Sequence, residues 1–321
     1  MHRGSLQYWN SRRAQRRLPR LRSAARQSKG PSLGSIVAFK VAMGRAAMLD
    51  NGDSPSKNME VSRACTLLEI PSMLVYGMRF YRRNKVTGYR EVAAEIVDKA
   101  SAERLGMKEA ANDSSKLPEF KAKLGEFSDV TALIAASPKG MSVGQHHGQR
   151  FESSVGGQSV EERFAFISSQ LGKSIDVSEF FKAGEHVDLA SITKGKGWAG
   201  VIKRFGVARL PHKETQKIRH VGTLGPFTPG KVLFTVPHAG QMGSHYRMEH
   251  NKRILKIFSK DDAAGLNPRS GFQNYGVVRN ACVLVDGSVP GPSKRLVRIR
   301  RAISGIDAKG PSEPKINNVY F

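Results

Sequence analysis

The sequence predicts a mostly β body that carries an inserted α+β unit and long basic extensions. Short apolar runs bounded by turn residues recur before residue 85 and after residue 180, which is typical of strands. Between these two regions, apolar residues at helical spacing indicate helices. The chain has 52 Lys and Arg against 27 Asp and Glu, and the excess is concentrated in two stretches. A hydrophobic content of 39% supports a folded body.

The first basic stretch is an N-terminal extension, residues 1–33. Residues 1–30 contain nine basic residues and no acidic one, and no apolar period is sustained. Such a segment cannot bury enough surface to fold alone, and a polyanion is its natural partner. An organellar transit peptide has a similar composition, but these arginines leave no clear apolar face.

The body follows from residue 34, and its strands are predicted from apolar runs. These runs are 36–39, 66–70, 74–76, 80–81, 186–192, 232–236, 277–278, 283–285 and 296–300. The composition of residues 50–55 predicts a loop. Apolar residues alternate with arginine in the last run, so Arg298 and Arg300 are expected to face away from the core.

Residues 85–180 are predicted to form the α+β insertion, which is nearly neutral in charge. Apolar residues at helical spacing in 92–100 favour a helix there, and 131–136 is typical of a strand. Ser159 and Glu162 form a capping box, which predicts a second helix from residue 160 with Gly172 at its end.

The second basic stretch, residues 194–260, contains fourteen basic residues and two acidic ones. Its first part, 194–230, carries seven glycines and three prolines. It is too charged for a core and far longer than an ordinary connection of about 4–6 residues. Two positive arms are therefore joined to a nearly neutral body, which indicates a polyanionic partner.

Gly195, Gly197 and Gly200 fit the dinucleotide-binding pattern G-x-G-x-x-G. That site needs a helix after the pattern and an acidic residue about 20 positions on. No helix is evident after Gly200, and 215–230 contain no acid. The favoured interpretation is that these glycines let the backbone approach a phosphate chain closely.

Ser142 lies in a G-x-S-x-G pattern, which marks a hydrolase nucleophile when a helix follows directly. Gln145-His-His-Gly follows instead, so a loop serine is favoured. His245 and His250 have the wrong spacing for a zinc-protease helix, and His146 with His147 lacks a third ligand. No metal and no cofactor are expected.

The chain has only two cysteines, Cys65 and Cys282, and neither belongs to a C-x-x-C pair. Both are expected to be buried and reduced. No apolar run approaches the length of a bilayer span, so no membrane insertion is expected.

Several motifs occur in a fixed order along the chain. They are H-R-G-S-L at 2–6, K-G-K-G-W-A-G at 194–200 with Lys203 and Arg204, G-T-L-G-P-F at 222–227, G-Q-M-G-S-H at 240–245, and G-S-V-P-G-P at 287–292 with Lys294 and Arg295. In this order they resemble the family of the universal third protein of the large ribosomal subunit, in its archaeal form. The resemblance covers most of the chain but is poor over 101–150.

The resemblance implies a six-stranded β-barrel of the translation-protein type, formed by 34–84 and 181–321, with the insertion at 85–180. The extension 1–33 and a central finger, residues 203–250, would enter large-subunit rRNA. The protein would be a non-enzymatic, cytoplasmic constituent of the large subunit that supports early assembly. Its partners would be large-subunit rRNA and other ribosomal proteins, with no membrane and no homo-oligomer.

The implied rRNA-binding residues are mainly basic, with aromatic and polar residues among them. They are Arg3, Trp9, Arg12, Arg13, Arg16, Arg17, Arg20, Arg22, Lys194, Lys196, Gly197, Trp198, Lys203, Arg204, His212, Lys213, Lys217, Arg219, His220, Phe227, Lys231, Gln241, His245, Arg247, Asn251, Lys252, Arg253, Lys294 and Arg295. The finger tip, Pro226, Phe227, Thr228 and Pro229, would lie near the peptidyl-transferase centre.

The sequence departs from the family pattern at Phe227, where relatives usually carry Trp, and at 44–48, where G-R-A-A-M replaces the usual G-M-T segment. Two other classes of function stay open. One is a general nucleic-acid-binding module of the chromatin type, which would bind duplex DNA and rRNA alike. The other is an enzyme, either a hydrolase at Ser142 or a nucleotide enzyme at 195–200.

Overall fold

The computed structural model describes residues 12–21, 23, 30–52, 54–107, 113–145, 147–175, 180–214, 217–304 and 313–321. Arg3, Trp9, Arg22 and His146 lie outside these residues. Within them the chain is mostly β, as the sequence predicts. No helix among the described residues has the length and apolarity needed to cross a membrane.

Fourteen strands are present in the described part of the chain. They are β1 (Ser35–Leu49), β2 (Glu60–Glu69), β3 (Ser72–Arg83), β4 (Arg90–Val97), β5 (Asp129–Ser137), β6 (Gln149–Ser154), β7 (Ser174–Ile175), β8 (His186–Ile192), β9 (Trp198–Ala199), β10 (Gly240–Gln241), β11 (Tyr246–Phe258), β12 (Cys282–Asp286), β13 (Leu296–Arg301) and β14 (Ile316–Tyr320). The helices are α1 (Lys99–Arg104), α2 (Leu117–Ala122), α3 (Val160–Gln170), α4 (Val201–Phe205) and α5 (Lys260–Ala264).

The larger sheet has the strand order β13-β8-β11-β12-β2-β1-β14, and β13 also pairs with β1. All these pairings are antiparallel. The strands bury apolar side chains such as Phe39, Leu67 and Leu284 in one continuous core. Apolar burial of this kind is the main stabilising term of the body.

The second sheet has the order β4-β3-β5-β6, and β7 pairs with β3. β3 therefore pairs with strands of the predicted insertion, and the expected boundary at 84 and 85 falls between two paired strands. The first half of the capping box is present: Ser159 Oγ accepts a hydrogen bond from Glu162 N at 3.1 Å and caps α3. The Glu162 carboxylate accepts from Gln158 N rather than from Ser159 N.

The helix predicted in 92–100 is wrong. Residues Arg90–Val97 form β4, and only Lys99–Arg104 is helical. β4 pairs with β3 from Arg83↔Arg90 to Gly77↔Val97, which buries Ile96 and Val97. Helical and extended spacing overlap in so short a segment, and the neighbouring strand decided the outcome.

Two predicted strands are also absent. Residues 232–236 form a turn, exposed at 232–234 and closed by the bond from Val236 N to Leu233 O. Residues 277–278 lie in a loop, where the Asn267 side chain accepts from Val278 N and donates to Val278 O. That side chain supplies the hydrogen bonds that a strand partner would have made.

Arg298 and Arg300 are buried, although the alternation predicts only that they face away from the core. They do lie opposite the apolar face of β13, but neighbouring segments cover them. Arg298 donates to Ser35 Oγ and to the Glu152 carbonyl, and burial lowers its pKa to about 10. Arg300 donates two hydrogen bonds to the buried Asp188 carboxylate at 2.9 and 3.1 Å. A buried arginine needs such partners because its charge is desolvated.

Cys65 and Cys282 are both buried free thiols, as predicted. Burial raises the pKa of Cys65 to about 11, and it raises the pKa of Cys282 as well. Both side chains therefore remain protonated and unreactive near neutral pH.

Candidate nucleic-acid interface

The start of the basic stretch, residues 194–200, is joined to residues 240–243 just after β8. β9 pairs with β10, Lys196 N donates to Met242 O at 2.9 Å, and Met242 N donates to Gly197 O at 2.8 Å. Gly243 has a φ of +74°, and a Cβ there would collide with the Lys194 carbonyl oxygen. Only glycine allows this close approach. The finger therefore begins and ends on a rigid base.

A short helix follows Gly200, which the sequence did not make evident. α4 ends at Gly206, whose φ is +67°. The two adjacent cations of α4 differ in burial: Lys203 is exposed, whereas Arg204 is half-buried. Arg204 Nη1 donates to His238 O at 2.9 Å and so ties the start of the finger to its return. Arg204 is thus a positioning residue for the finger.

The outer finger, residues 206–238, has almost no core of its own. Every described residue from 222 to 234 is exposed, and the Phe227 side chain is 99% exposed. Leu224 and Phe234 are exposed as well. Among the described residues of the outer finger, the backbone hydrogen bond that spans most sequence joins Leu210 N to Ile218 O. Apolar side chains displayed together on a basic segment mark a surface that a partner covers.

The N-terminal extension contacts the base of the finger. Ala14 N donates to Ser244 O at 2.7 Å, and His245 Nδ1 lies 3.1 Å from Arg12 O. The adjacent arginines remain exposed. Burial and, after it, the charge of Arg17 lower the pKa of Arg295. The two basic arms that the sequence showed separately therefore share one surface.

Lys40 organises the loop beside that surface, a role that was not predicted from the sequence. Its ammonium is buried and donates to Val289 O at 2.6 Å and to Gly291 O at 3.2 Å. Burial lowers the pKa of this amine. Lys294 and Arg295 follow directly, so Lys40 holds the loop that presents them. A single lysine within the apolar run 36–41 was the available signal.

The predicted site residues fall into three groups by burial. Exposed residues are Arg12, Arg13, Arg16, Arg17, Arg20, Lys194, Lys196, Gly197, Trp198, Lys203, His212, Lys213, Lys217, Arg219, His220, Pro226, Phe227, Thr228, Pro229, Lys231 and Lys294. Half-buried residues are Arg204, Gln241, Arg247, Asn251, Lys252, Arg253 and Arg295. His245 is buried. The first group is available to a partner over most of its surface.

The half-buried residues of β11 make contacts within the protein. Asn251 N donates to the Asp188 carboxylate at 3.0 Å, and Arg253 Nη2 donates to the Asn51 side chain at 3.0 Å. Asn251 adopts a φ of +57°, where the register of β11 against β8 shifts. This end of the predicted site serves the fold at least as much as an external partner.

The enzyme interpretations find no support in the geometry of the described residues. Ser142 Oγ donates to the Val277 carbonyl at 2.7 Å, and a turn rather than a helix follows it. The glycine pattern at 195–200 follows β8, but β8 is antiparallel to both neighbours and α4 has only five residues. A dinucleotide site requires a parallel βαβ unit. No group of three potential metal ligands occurs among the described residues.

Comparisons with known proteins agree with the residue pattern. The family model described as Ribosomal protein L3 matches residues 1–320. The large ribosomal subunit protein uL3 of Methanothermobacter thermautotrophicus is 37% identical, over 98% of this chain and 95% of the relative. That of Methanospirillum hungatei is 39% identical over 94% and 91%, and that of Pyrobaculum islandicum is 38% identical over 98% and 94%. These relatives are archaeal. The chain therefore belongs to the ribosomal protein L3 family.

Proposed function

We propose that this chain, a structural component of the large subunit of the cytoplasmic ribosome and not an enzyme, binds large-subunit rRNA through its finger and N-terminal extension. The finger tip reaches the surroundings of the peptidyl-transferase centre, and the protein supports early assembly. Other large-subunit proteins are its further neighbours. The exposed, basic and apolar outer finger is the observation that carries the proposal.

Electrostatics explain why such arms suit rRNA. Closely packed phosphates repel one another, and lysine and arginine neutralise them while condensed counterions are released. The chain carries a net charge of +25, of which +9 lies in 1–30 and +12 in 194–260. Exposed aromatic rings such as Phe227 and Trp198 offer stacking surfaces to unpaired bases. The arms thus supply charge and stacking, and the body supplies an anchor.

We further propose that six strands of the larger sheet close into a barrel of the translation-protein type. β1, β2, β12, β11, β8 and β13 pair in succession, and the β13–β1 pairing returns to the first strand. Closure would leave no free edge among these six strands. In this arrangement the barrel comes from 34–71 and 181–321, and the insertion begins with β3 rather than at residue 85.

The proposed position of the finger tip is tested with Phe227→Ala ribosomes. Assembly should remain nearly intact, because the side chain is 99% exposed and contributes nothing to the core. Accommodation of aminoacyl-tRNA should be slower, with Phe227→Trp as the control that keeps a ring at the tip. Normal accommodation rates in purified Phe227→Ala ribosomes would show that the tip has no role there.

Sedimentation of a native lysate tests the function as a whole. The chain should migrate with the large subunit in stoichiometric amount and resist a high-salt wash. Migration as a free protein, or loss at moderate salt, would contradict an integral ribosomal role.

A comparison of binding affinities distinguishes a preference for rRNA from binding to nucleic acid in general. Folded large-subunit rRNA should be clearly preferred to duplex DNA at matched salt, whereas equal affinity would indicate a chromatin-type module.

A further inference from the structure

The β3–β4 hairpin ends in a rigid tip, residues 84–89. The Asn84 side chain accepts hydrogen bonds from Val86 N at 2.8 Å and Thr87 N at 3.2 Å, and Gly88 N donates to Asn84 O at 2.9 Å. Asn84 Nδ2 also donates to the Glu91 carboxylate. These bonds within the turn fix its shape before any partner arrives. Rigidity of this kind lowers the entropy cost of binding.

The tip displays apolar and aromatic surface to solvent. Val86 is 94% exposed, and Tyr89 is 76% exposed. Neither contributes to the core clusters of the described residues. An exposed tyrosine on a rigid turn offers a flat surface on which an unpaired base can stack.

Basic residues flank the turn that carries Tyr89. Arg82, Arg83 and Lys85 are all exposed, and no acidic side chain of the described residues forms an ion pair with them. Arg83 Nε donates to Gly88 O at 3.3 Å, which keeps this guanidinium beside the turn. Three cations therefore lie within four residues at the end of the β3–β4 hairpin.

The acidic groups nearer the base of the hairpin are already neutralised. Arg79 pairs with Glu95 at 2.7 Å and with Glu152 at 3.0 Å. Arg90 forms an ion pair with Asp129 at 2.6 Å, and its guanidinium stacks over the ring of Tyr81 on β3. Glu91, which lies opposite Arg82 in the register of the hairpin, reduces the positive charge of the tip without cancelling that of Arg82, Arg83 and Lys85.

We propose that this hairpin tip is a separate RNA-binding site of the insertion, in which Arg82, Arg83 and Lys85 contact phosphates and Tyr89 stacks on an unpaired base. The site rests on the proposed rRNA-binding function and adds a point of attachment to it. It lies on the second sheet, whereas the finger and the N-terminal extension meet beside the larger one. The insertion would then be held by RNA at its own end as well as through the body.

A tethered cleavage probe tests the site in assembled large subunits. Because Cys65 and Cys282 are buried, a cysteine introduced by Val86→Cys is the one reactive thiol to which a hydroxyl-radical-generating iron chelate attaches. Phe227→Cys carries the same probe at the finger tip. We expect each probe to cleave rRNA, at two different sets of nucleotides.

The two probes distinguish failure of this inference from failure of the proposed function. Cleavage from position 227 but not from position 86 would overturn the hairpin site and leave the finger as proposed. Absence of cleavage from both positions would overturn both. Protection of position 86 from labelling in assembled subunits, without RNA cleavage, would identify a protein partner there and also overturn the site.

Salt dependence gives a second readout that does not depend on assembly. Combined substitution Arg82→Gln, Arg83→Gln and Lys85→Gln should lower the log–log salt slope of rRNA binding by roughly 2–3. The matched control replaces Lys121, Lys123 and Lys139, which are exposed elsewhere on the insertion. Equal slopes for the two triple variants would count against the site.

The stacking role of Tyr89 has its own test. Tyr89→Ala should weaken rRNA binding with little change in the salt slope, whereas Tyr89→Phe should leave binding unchanged.

Discussion

The body and the outer finger of this protein differ in where their apolar side chains lie. In the body, strands from distant parts of the sequence pair and bury rings such as Phe39 almost completely. In the finger, Phe227 and its apolar neighbours lie in solvent among lysines and histidines. The body is therefore stabilised by its own core, whereas the finger carries surface that only another molecule can cover.

The largest expected effect concerns the arms and appears in rRNA affinity. Replacing Arg12, Arg13, Arg16, Arg17 and Arg20 with Gln should lower the log–log salt slope of binding by about 3–5, because five exposed cations no longer displace counterions. Replacing the same five residues with Lys keeps the charge and should keep the slope. An unchanged slope in the Gln variant would show that these arginines do not contact phosphate.

The next effect compares the same chemical change in the two regions. Phe39→Ala should lower the free energy of unfolding by about 3–5 kcal/mol, because it empties a fully buried site. Phe227→Ala should change it by less than about 0.5 kcal/mol, because its side chain is exposed. Urea unfolding of the isolated proteins measures both. Similar losses would mean that the finger folds against the body.

A smaller effect is expected where the body supports the interface. Lys40→Met should lower the free energy of unfolding by about 1–3 kcal/mol, since the Val289 and Gly291 carbonyls lose their buried donor. Lys123→Met, at an exposed position, is the control. If Lys40→Met unfolded like the control in urea, the ammonium would not be holding this loop.

The smallest effect is a dependence of stability on pH at the β1–β2 turn. Hydrogen bonds from Ser54, Ser56 and Gly52 hold the pKa of the Asp50 carboxyl well below its ordinary value of 3.8. This stabilisation is therefore present above pH 3.8 and is lost as the pH falls through the lowered pKa. Asp50→Asn should lower Tm at pH 6, and the difference from the original protein should shrink below about pH 4. A constant difference down to pH 2 would contradict this account.

Much of the local structure followed from local sequence. The capping box of α3 and the β1, β2, β5 and β8 strands were predictable because their signals lie within about ten residues. The family was predictable as well, because its motifs are short and their order is a property of the chain itself. The basic stretches were visible as charge alone, and the structure added that they meet where Ala14 binds Ser244.

The predictions failed where the surroundings of a segment, rather than its own residues, decided its structure. Residues 90–97 form a strand because they pair with β3. Residues 232–236 pair with no strand of the described residues and form a turn. Arg298 faces away from the core, as alternation predicts, but the insertion and the start of β1 cover it. Burial on such a face depends on which segments pack there, and alternation along one strand contains no information about them.

The sequence by itself determined the family, the mostly β class, the separation of charge into two arms and the residues that could meet a polyanion. These properties depend on composition, order and spacing, all of which are local to the chain. Only the tertiary structure decided that the arms share one surface, that Lys40 and Arg204 position it, and that the insertion carries a cationic tip of its own. The shared surface and its positioning residues depend on contacts between residues far apart in sequence, and such contacts form only when the strands pair and the core closes. The tip depends on the pairing of β3 with β4, which the apolar spacing in 92–100 did not indicate.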